Sequence, residues 1–221
     1  MTILTARGVA ERMRALTLDA LSDEDFVSDL IREWGLYDTP DIKTYGEEND
    51  PYKTPDLGML QTPQQLAGAL VYLSNRNIKS YVEIGTWYGS STAFICLYLA
   101  RFGLESALAV DLDRDFDPGL LRLVNSVVEL DFIRGTSDDI REREFDLCFI
   151  DADHHYESVK KDYENVGKFA RICMFHDVQR EKEPTGAVEF WNEIKSDGDK
   201  EFLFHTTPKK HQGIGIHENI R

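Results

Sequence analysis

Tyr81-Val82-Glu83-Ile84-Gly85-Thr86-Trp87-Tyr88-Gly89-Ser90-Ser91-Thr92 is the stretch that decides how this chain folds. SYVEIG, residues 80–85, reads as a strand, and SSTAFICLYLARF, residues 90–102, reads as a helix. The glycine-rich piece between them is therefore a strand-to-helix turn. Gly85 and Gly89 permit a tight turn and a close backbone approach to a ligand. Ser90 is placed to cap the helix, whose first amides favour an electronegative group. A dinucleotide fingerprint needs G-x-G-x-x-G. Counted from Gly85, its second position is Trp87 and its third is Ser90. Trp87 stands where a pyrophosphate needs bare backbone, which disfavours a nicotinamide or flavin cofactor. The phosphate-loop pattern G-x-x-x-x-G-K-[ST] is absent too. Taken alone, the segment reads equally well as a structural turn.

Its neighbours change that balance. SALAVD, residues 106–111, is the next strand, and Asp111 closes it 22 positions beyond Gly89. An acid at that offset in a βαβ unit accepts hydrogen bonds from ribose hydroxyls. The unit thus suits an adenosine-type ligand with a ribose and little phosphate. The alternation continues. Residues 117–127 read as helix, 130–135 and 145–151 as strands, 156–169 as an amphipathic helix, 171–177 as a strand and 185–195 as a helix. Residues 201–206 and 211–217 read as strands joined by a short Thr-Pro-Lys-Lys loop. Repeated β–α alternation predicts an α/β fold. The expected form is a Rossmann-like, doubly wound, mostly parallel seven-stranded sheet with an antiparallel C-terminal hairpin at one edge.

Ahead of this pattern, residues 5–36 read as helical, with Phe26, Leu30, Ile31 and Trp34 on one stripe and Ser22 as a cap. Residues 37–62 are loop-like, and Pro63 opens a helix through Ser74. The expected division is an N-terminal helical and loop extension over 1–62, acting as a cap or lid, and a ligand-binding domain over 63–221. Tyr45, Tyr52 and Met59 are the extension's candidates for lining a site.

Composition narrows the function classes. The 221 residues carry 25 Lys+Arg against 40 Asp+Glu, a net charge of −15. That balance repels a polyanion, so no nucleic-acid partner is expected. Cys96, Cys148 and Cys173 are odd in number and lie in apolar runs, which argues against disulfides or a cysteine zinc site. The longest apolar stretch, 93–100, is too short to span a membrane, so no membrane partner is expected and the cytoplasm is the expected location. A homo-oligomer remains open.

The pattern E-x-G-x-x-x-G at Glu83–Gly89, with an acid closing the next strand, resembles the class I S-adenosylmethionine-dependent methyltransferases. Gly135-Thr136-Ser137-Asp138, Asp151-Ala152-Asp153-His154-His155-Tyr156 and Phe175-His176-Asp177-Val178 extend the likeness over about residues 61–217. Together they resemble the branch of cephalosporin-hydroxylase-like and macrocin O-methyltransferase-like proteins. The resemblance implies S-adenosylmethionine as cofactor. It places Glu83 near the methionine ammonium, Gly85, Thr86, Gly89 and Ser90 around the turn, Asp111 on the ribose, Ser137 and Asp138 at the adenine, and Asp151 beside the methyl group.

Asp151, Asp153, His154, His155, His176 and Asp177 all fall at the ends of two adjacent predicted strands. Three readings compete. The groups cap the following helix and satisfy strand ends. Alternatively, His154 or His176 is a general base, with Asp151 beside it. In the third reading, Asp151, His176 and Asp177 hold a divalent metal, Mg²⁺ or Mn²⁺. The resemblance implies acids at both 176 and 177 in metal-dependent relatives, so His176 departs from an all-oxygen set and suits a softer ion. The expected activity is methyl transfer to a small-molecule acceptor, at a hydroxyl oxygen. The alternatives are a metal-dependent hydrolase on the same cluster and a non-catalytic S-adenosylmethionine-binding protein. His205, His217, Lys209 and Lys210 read as structural or exposed, and residues 180–183 as a solvated loop or a substrate lid.

Overall fold

The computed structural model describes residues 2–37, 53–54, 58–179, 185–203 and 213–219. The chain starts with two helices where one was expected, α1 (Ile3–Ala15) and α2 (Glu24–Trp34), separated by a turn. Thr17, Ser22 and Asp23 supply the side chains that compete with helical hydrogen bonds. Asp23, not Ser22, caps α2, accepting from the Phe26 amide at 2.9 Å. The Ser22 hydroxyl instead donates back to the Leu18 carbonyl. A short strand β1 (Leu36–Tyr37) then pairs in parallel with β2 (Lys53–Thr54). Tyr45 and Tyr52 lie outside the described residues.

The helix α3 (Pro63–Ser74) has proline in its first turn, as predicted. The alternating part follows as β3 (Ser80–Ile84), α4 (Ser90–Ala100), β4 (Ser106–Asp111), α5 (Pro118–Val124), β5 (Glu129–Arg134), β6 (Leu147–Ile150), α6 (Tyr156–Asn165), β7 (Ile172–His176), α7 (Gly186–Ile194), β8 (Lys200–Phe202) and β9 (Ile214–Glu218). The sheet order is β5-β4-β3-β6-β7-β9-β8. All neighbours are parallel except β9, which runs against both β7 and β8. The terminal pair is thus antiparallel as expected, with the last strand inserted one place in from the edge. The Thr-Pro-Lys-Lys turn, with His205, Lys209 and Lys210, lies outside the described residues.

Side-chain alternation along the strands divides the core. Tyr81, Ala109, Phe149 and Met174 face the layer that contains α4 and the N-terminal helices. Val82, Ile84, Cys148, Cys173 and Phe175 face the layer under α6 and α7, with Trp191 and Phe190. Residues 90–99 of α4 are all buried, which explains a helix apolar on every side. Trp34 closes over this helix, its ring edge-on to Phe94 at 5.5 Å and its Nε1 donating to Ser90 Oγ at 3.0 Å. All three cysteines are buried and free, and burial raises the thiols of Cys96 and Cys173 well above their ordinary range. No helix among the described residues is long and apolar enough to cross a membrane.

Candidate active site

The strand order reverses between β3 and β6, so the carboxyl ends of these strands frame a crevice. A cavity of about 720 Å³ lies there, within the range for cofactors and small ligands. Its wall includes Thr86, Trp87, Asp111, Ser137, Asp151 and His176.

Gly85 is required by packing. It sits at φ +89°, and a Cβ there would lie 2.3 Å from the Asp151 carbonyl oxygen and 2.4 Å from Ala152 Cα. The turn therefore presses against the end of β6 and fixes Asp151 relative to β3. Gly89 at φ +87° is the N-cap of α4 and packs on the Phe116 ring. This corrects the expectation for Ser90. It is the first residue of α4, and its hydroxyl is taken by Trp34. Thr86 is buried in the cavity wall and its hydroxyl has no partner. Trp87 is 40% exposed at the cavity, with the Arg114 guanidinium 4.8 Å from its ring centre.

Asp111 is where the sequence placed it. Its carboxylate accepts from the amides of Trp87 at 2.7 Å, Asp113 at 2.9 Å and Arg114 at 2.8 Å. Three backbone donors hold it still at the cavity wall, a preorganised acceptor for hydroxyls. Glu83 is set one layer back. It is fully buried and does not line the cavity. Tyr81 Oη donates to its Oε2 at 2.5 Å, and Ser91 Oγ donates to its Oε1 at 2.6 Å. Burial raises its carboxyl to about 7. Ser91, which does line the cavity, stands between Glu83 and any ligand.

At the far end, Ser137 lines the cavity and Asp138 does not. The Asp138 carboxylate turns to Lys161, Arg141 and Asn165, and the first two hold it down at about 2. In its place the cavity receives Asp162 from α6, 8% exposed and hydrogen-bonded by Ser137. Burial lifts Asp162 to about 6. Sequence reasoning missed it. The available signal was helical spacing, since Ser158, Lys161 and Asp162 share the α6 face that lines the cavity.

The Asp162 shift has a measurable sign. A carboxyl raised in the folded state costs stability as pH climbs from its unfolded value near 3.8 to about 6, and the cost persists above that. Asp162→Asn is therefore expected to stabilise the unliganded protein at neutral pH by up to about 3 kcal/mol. Urea melts of both proteins across this pH range check it. The difference should vanish in acid, and a wild-type protein equally stable to its variant at pH 7 contradicts it.

The acid and histidine cluster assembles as anticipated. Asp151 Oδ1 lies 2.9 Å from His176 Nδ1, which is 3.7 Å from Asp177 Oδ2. One ligand atom from each of Asp151, His176 and Asp177 falls within 4.8 Å of the others. His154 Nε2 meets Asp177 Oδ2 at 2.9 Å from the exposed side. Asp177 raises His154 above its ordinary value, against the opposing effect of burial. His176 is 4% exposed, and its Nε2 has no partner. Burial pushes this imidazole down, but the charges of Asp151 and Asp177 overcome it and lift it to about 9. His155 and Asp153 pair with each other, and the Ser158 hydroxyl also donates to Asp153. That local arrangement at the start of α6 engages these two residues with each other and with Ser158, and no side-chain cap bond forms at His155. His217 bonds to Asp199 at 2.8 Å, a structural role as expected. Residues 180–183 lie outside the described residues.

Sequence reasoning also missed Gln61. Its Nε2 donates to Asp151 Oδ2 at 2.5 Å, and with Met59 it forms part of the cavity wall.

Comparison with known proteins agrees with this geometry. Residues 82–178 match the family model described as a methyltransferase domain. The O-methyltransferase TomG from Streptomyces achromogenes, involved in tomaymycin synthesis and solved with S-adenosylmethionine, is 18% identical, with a TM-score of 0.52 over 73% of this chain and 81% of that one. Cofactor-bound Rv0187 from MTB is 17% identical, with a TM-score of 0.53 over 74% of this chain and 84% of that one. No curated protein matches in sequence. At these identities the solved structures establish the fold. Together with the matched domain they bear out the resemblance to the class I methyltransferases and the Rossmann-like architecture.

Proposed function

We propose that this chain moves a methyl group from S-adenosylmethionine to a hydroxyl oxygen of a small-molecule acceptor, with a divalent cation held by Asp151, His176 and Asp177. One observation carries the reading. A single cavity joins Asp111, an immobilised acceptor for ribose hydroxyls, to the Asp151–His154–His176–Asp177 cluster. A hydrolase built on the cluster alone leaves Asp111 and the Gly85–Gly89 turn without a task.

The residues fit both groups. For the cofactor, the buried hydroxyl of Thr86 lacks a partner in the cavity wall. Buried polar atoms are seldom left so. For the cation, two carboxylates and one imidazole converge in a partly buried recess, a donor set better suited to Mn²⁺ than to Mg²⁺. The sulfonium supplies an already activated methyl group, and the cation, when bound, lowers the pKa of an acceptor hydroxyl.

The chain's own residues do the rest. Asp111 and Ser137 orient the donor along the strand ends. Two histidines compete for the role of base, and the geometry separates them. His176 is clamped between two carboxylates and retains its proton at neutral pH, so it neutralises Asp151 and Asp177 when no cation is present. His154 presents Nε2–H to Asp177, leaving Nδ1 as the basic nitrogen on a half-exposed ring. We therefore assign proton removal to His154 and charge balance or metal ligation to His176.

Melting the protein with candidate ligands tests the donor. S-Adenosylhomocysteine should raise the melting temperature and NAD should not; equal stabilisation by NAD refutes the assignment. Asp111→Ala should weaken the homocysteine product's binding by about 1.5–3 kcal/mol in calorimetry. Mass spectrometry over phenols, sugars and amines reads the acceptor as a gain of one methyl group. Cation binding must displace the His176 proton, so Mn²⁺ affinity should rise with pH between about 6 and 9. Undiminished transfer after chelation removes the metal from the proposal and leaves the methyl transfer intact.

A further inference from the structure

The corner of the cavity near Asp151 is closed by residues from ahead of α3, beyond the segment that matches the methyltransferase domain. Gln61 is central to it. It is 2% exposed, its Nε2 donates to Asp151 Oδ2 at 2.5 Å, and its Oε1 is buried without a partner. An amide oxygen in that state is costly to the unliganded protein, and a ligand that brings a donor recovers the cost.

The charges around this corner say which donor. Asp151 forms part of the wall, and the buried Glu83 carboxyl is close enough to feel its field. The cationic groups among the described lining residues are already engaged. Lys161 bonds Asp138 at the opposite end, while His154 and His176 bond Asp177 and Asp151. The corner thus offers a buried acceptor, Gln61 Oε1, for which no cationic donor among the described lining residues is free. A ligand ammonium, with three N–H donors and a unit charge, complements it.

We infer that Gln61 binds the α-ammonium of the donor's amino-acid arm through Oε1, while its Nε2 holds Asp151 in place. This rests on S-adenosylmethionine being the donor. It makes a residue of the N-terminal part a specificity determinant for the amino-acid half of the ligand.

The test compares two ligands by calorimetry on the full chain. S-Adenosylhomocysteine carries the ammonium; 5′-methylthioadenosine has the same adenine, ribose and sulfur without it. Losing a hydrogen bond to a charged group corresponds to about a tenfold to hundredfold loss of affinity. Gln61→Leu should weaken the homocysteine ligand by that factor and leave methylthioadenosine within about twofold on the same scale. Gln61→Glu loses the Nε2 donor to Asp151 but keeps an accepting oxygen and adds negative charge. Whatever the overall affinity, it should retain or raise the preference for the ammonium ligand. A Leu variant with the wild-type affinity ratio overturns the inference. So does a Glu variant that loses the preference as the Leu variant does. If the wild-type protein binds neither ligand, the donor assignment itself fails, which is a separate result.

Discussion

His154→Ala is expected to slow methyl transfer by about 10²–10⁴-fold while S-adenosylhomocysteine binds nearly as tightly as before. The loss is the contribution of a positioned base to proton removal. The ring is half-exposed at the cavity and steadied by Asp177 at 2.9 Å, so it can meet an acceptor without first being unburied. Its shift above 6.5 sets the sign of the pH profile. The base acts only when unprotonated, so the wild-type rate should climb through the neutral range and level off above the raised value. At saturating Mn²⁺ throughout the pH range, the variant should lose that limb. His155→Ala is the control, because that ring is 87% exposed and pairs only locally with Asp153. A His154→Ala enzyme with wild-type turnover and an unchanged limb eliminates His154 as the base.

Gly85→Ala is expected to destabilise the protein strongly. The position holds φ +89°, and the added carbon would lie 2.3–2.6 Å from backbone atoms of Asp151 and Ala152. Backbone cannot rotate away as a side chain would. Left-handed strain and overpacking each cost about 1–3 kcal/mol, giving roughly 3 kcal/mol or more together. For a chain of this size that lowers the melting temperature by about 6–12 °C. Gly8→Ala is a contrasting control, since Gly8 lies in α1 with nothing within 4 Å of its added carbon. That change should stabilise slightly, by about 0.5–1 kcal/mol. Equal melting temperatures for the two variants would contradict the account of the turn.

Most of the fold was legible because its signals are local. Strand and helix periods alternate from residue 80 onward, and a strand–turn–helix unit followed by Asp111 at the next strand end marks the cavity wall where Asp111 is found. Local reading failed where the deciding contact is remote. The helix over 5–36 breaks because several short polar side chains act together, which a stripe of Phe26, Leu30, Ile31 and Trp34 cannot reveal. The resemblance implied Asp138, but the cavity receives Asp162 instead. The 3-10 turn at Ser137–Ile140, closed by the Thr136–Asp139 capping box, directs Asp138 outward. Gln61 gains its meaning from Asp151, 90 residues later. Glu83 was identified as a site residue, yet only the structure shows Ser91 interposed.

The placement of β9 has a consequence for how the chain is made. Until residue 218 has been synthesised, β7 has an open edge on one side, and β8 has no partner by which to join the sheet. Strand β7 ends in His176, so this side of the cavity is completed only by β9, which is made after β7, α7 and β8. During translation the nascent chain holds an unpaired apolar edge, Ile172-Cys173-Met174-Phe175, next to an unfinished site. The order of synthesis therefore leaves the nascent chain dependent on β9 both to cover the edge of β7 and to bring β8 into the sheet.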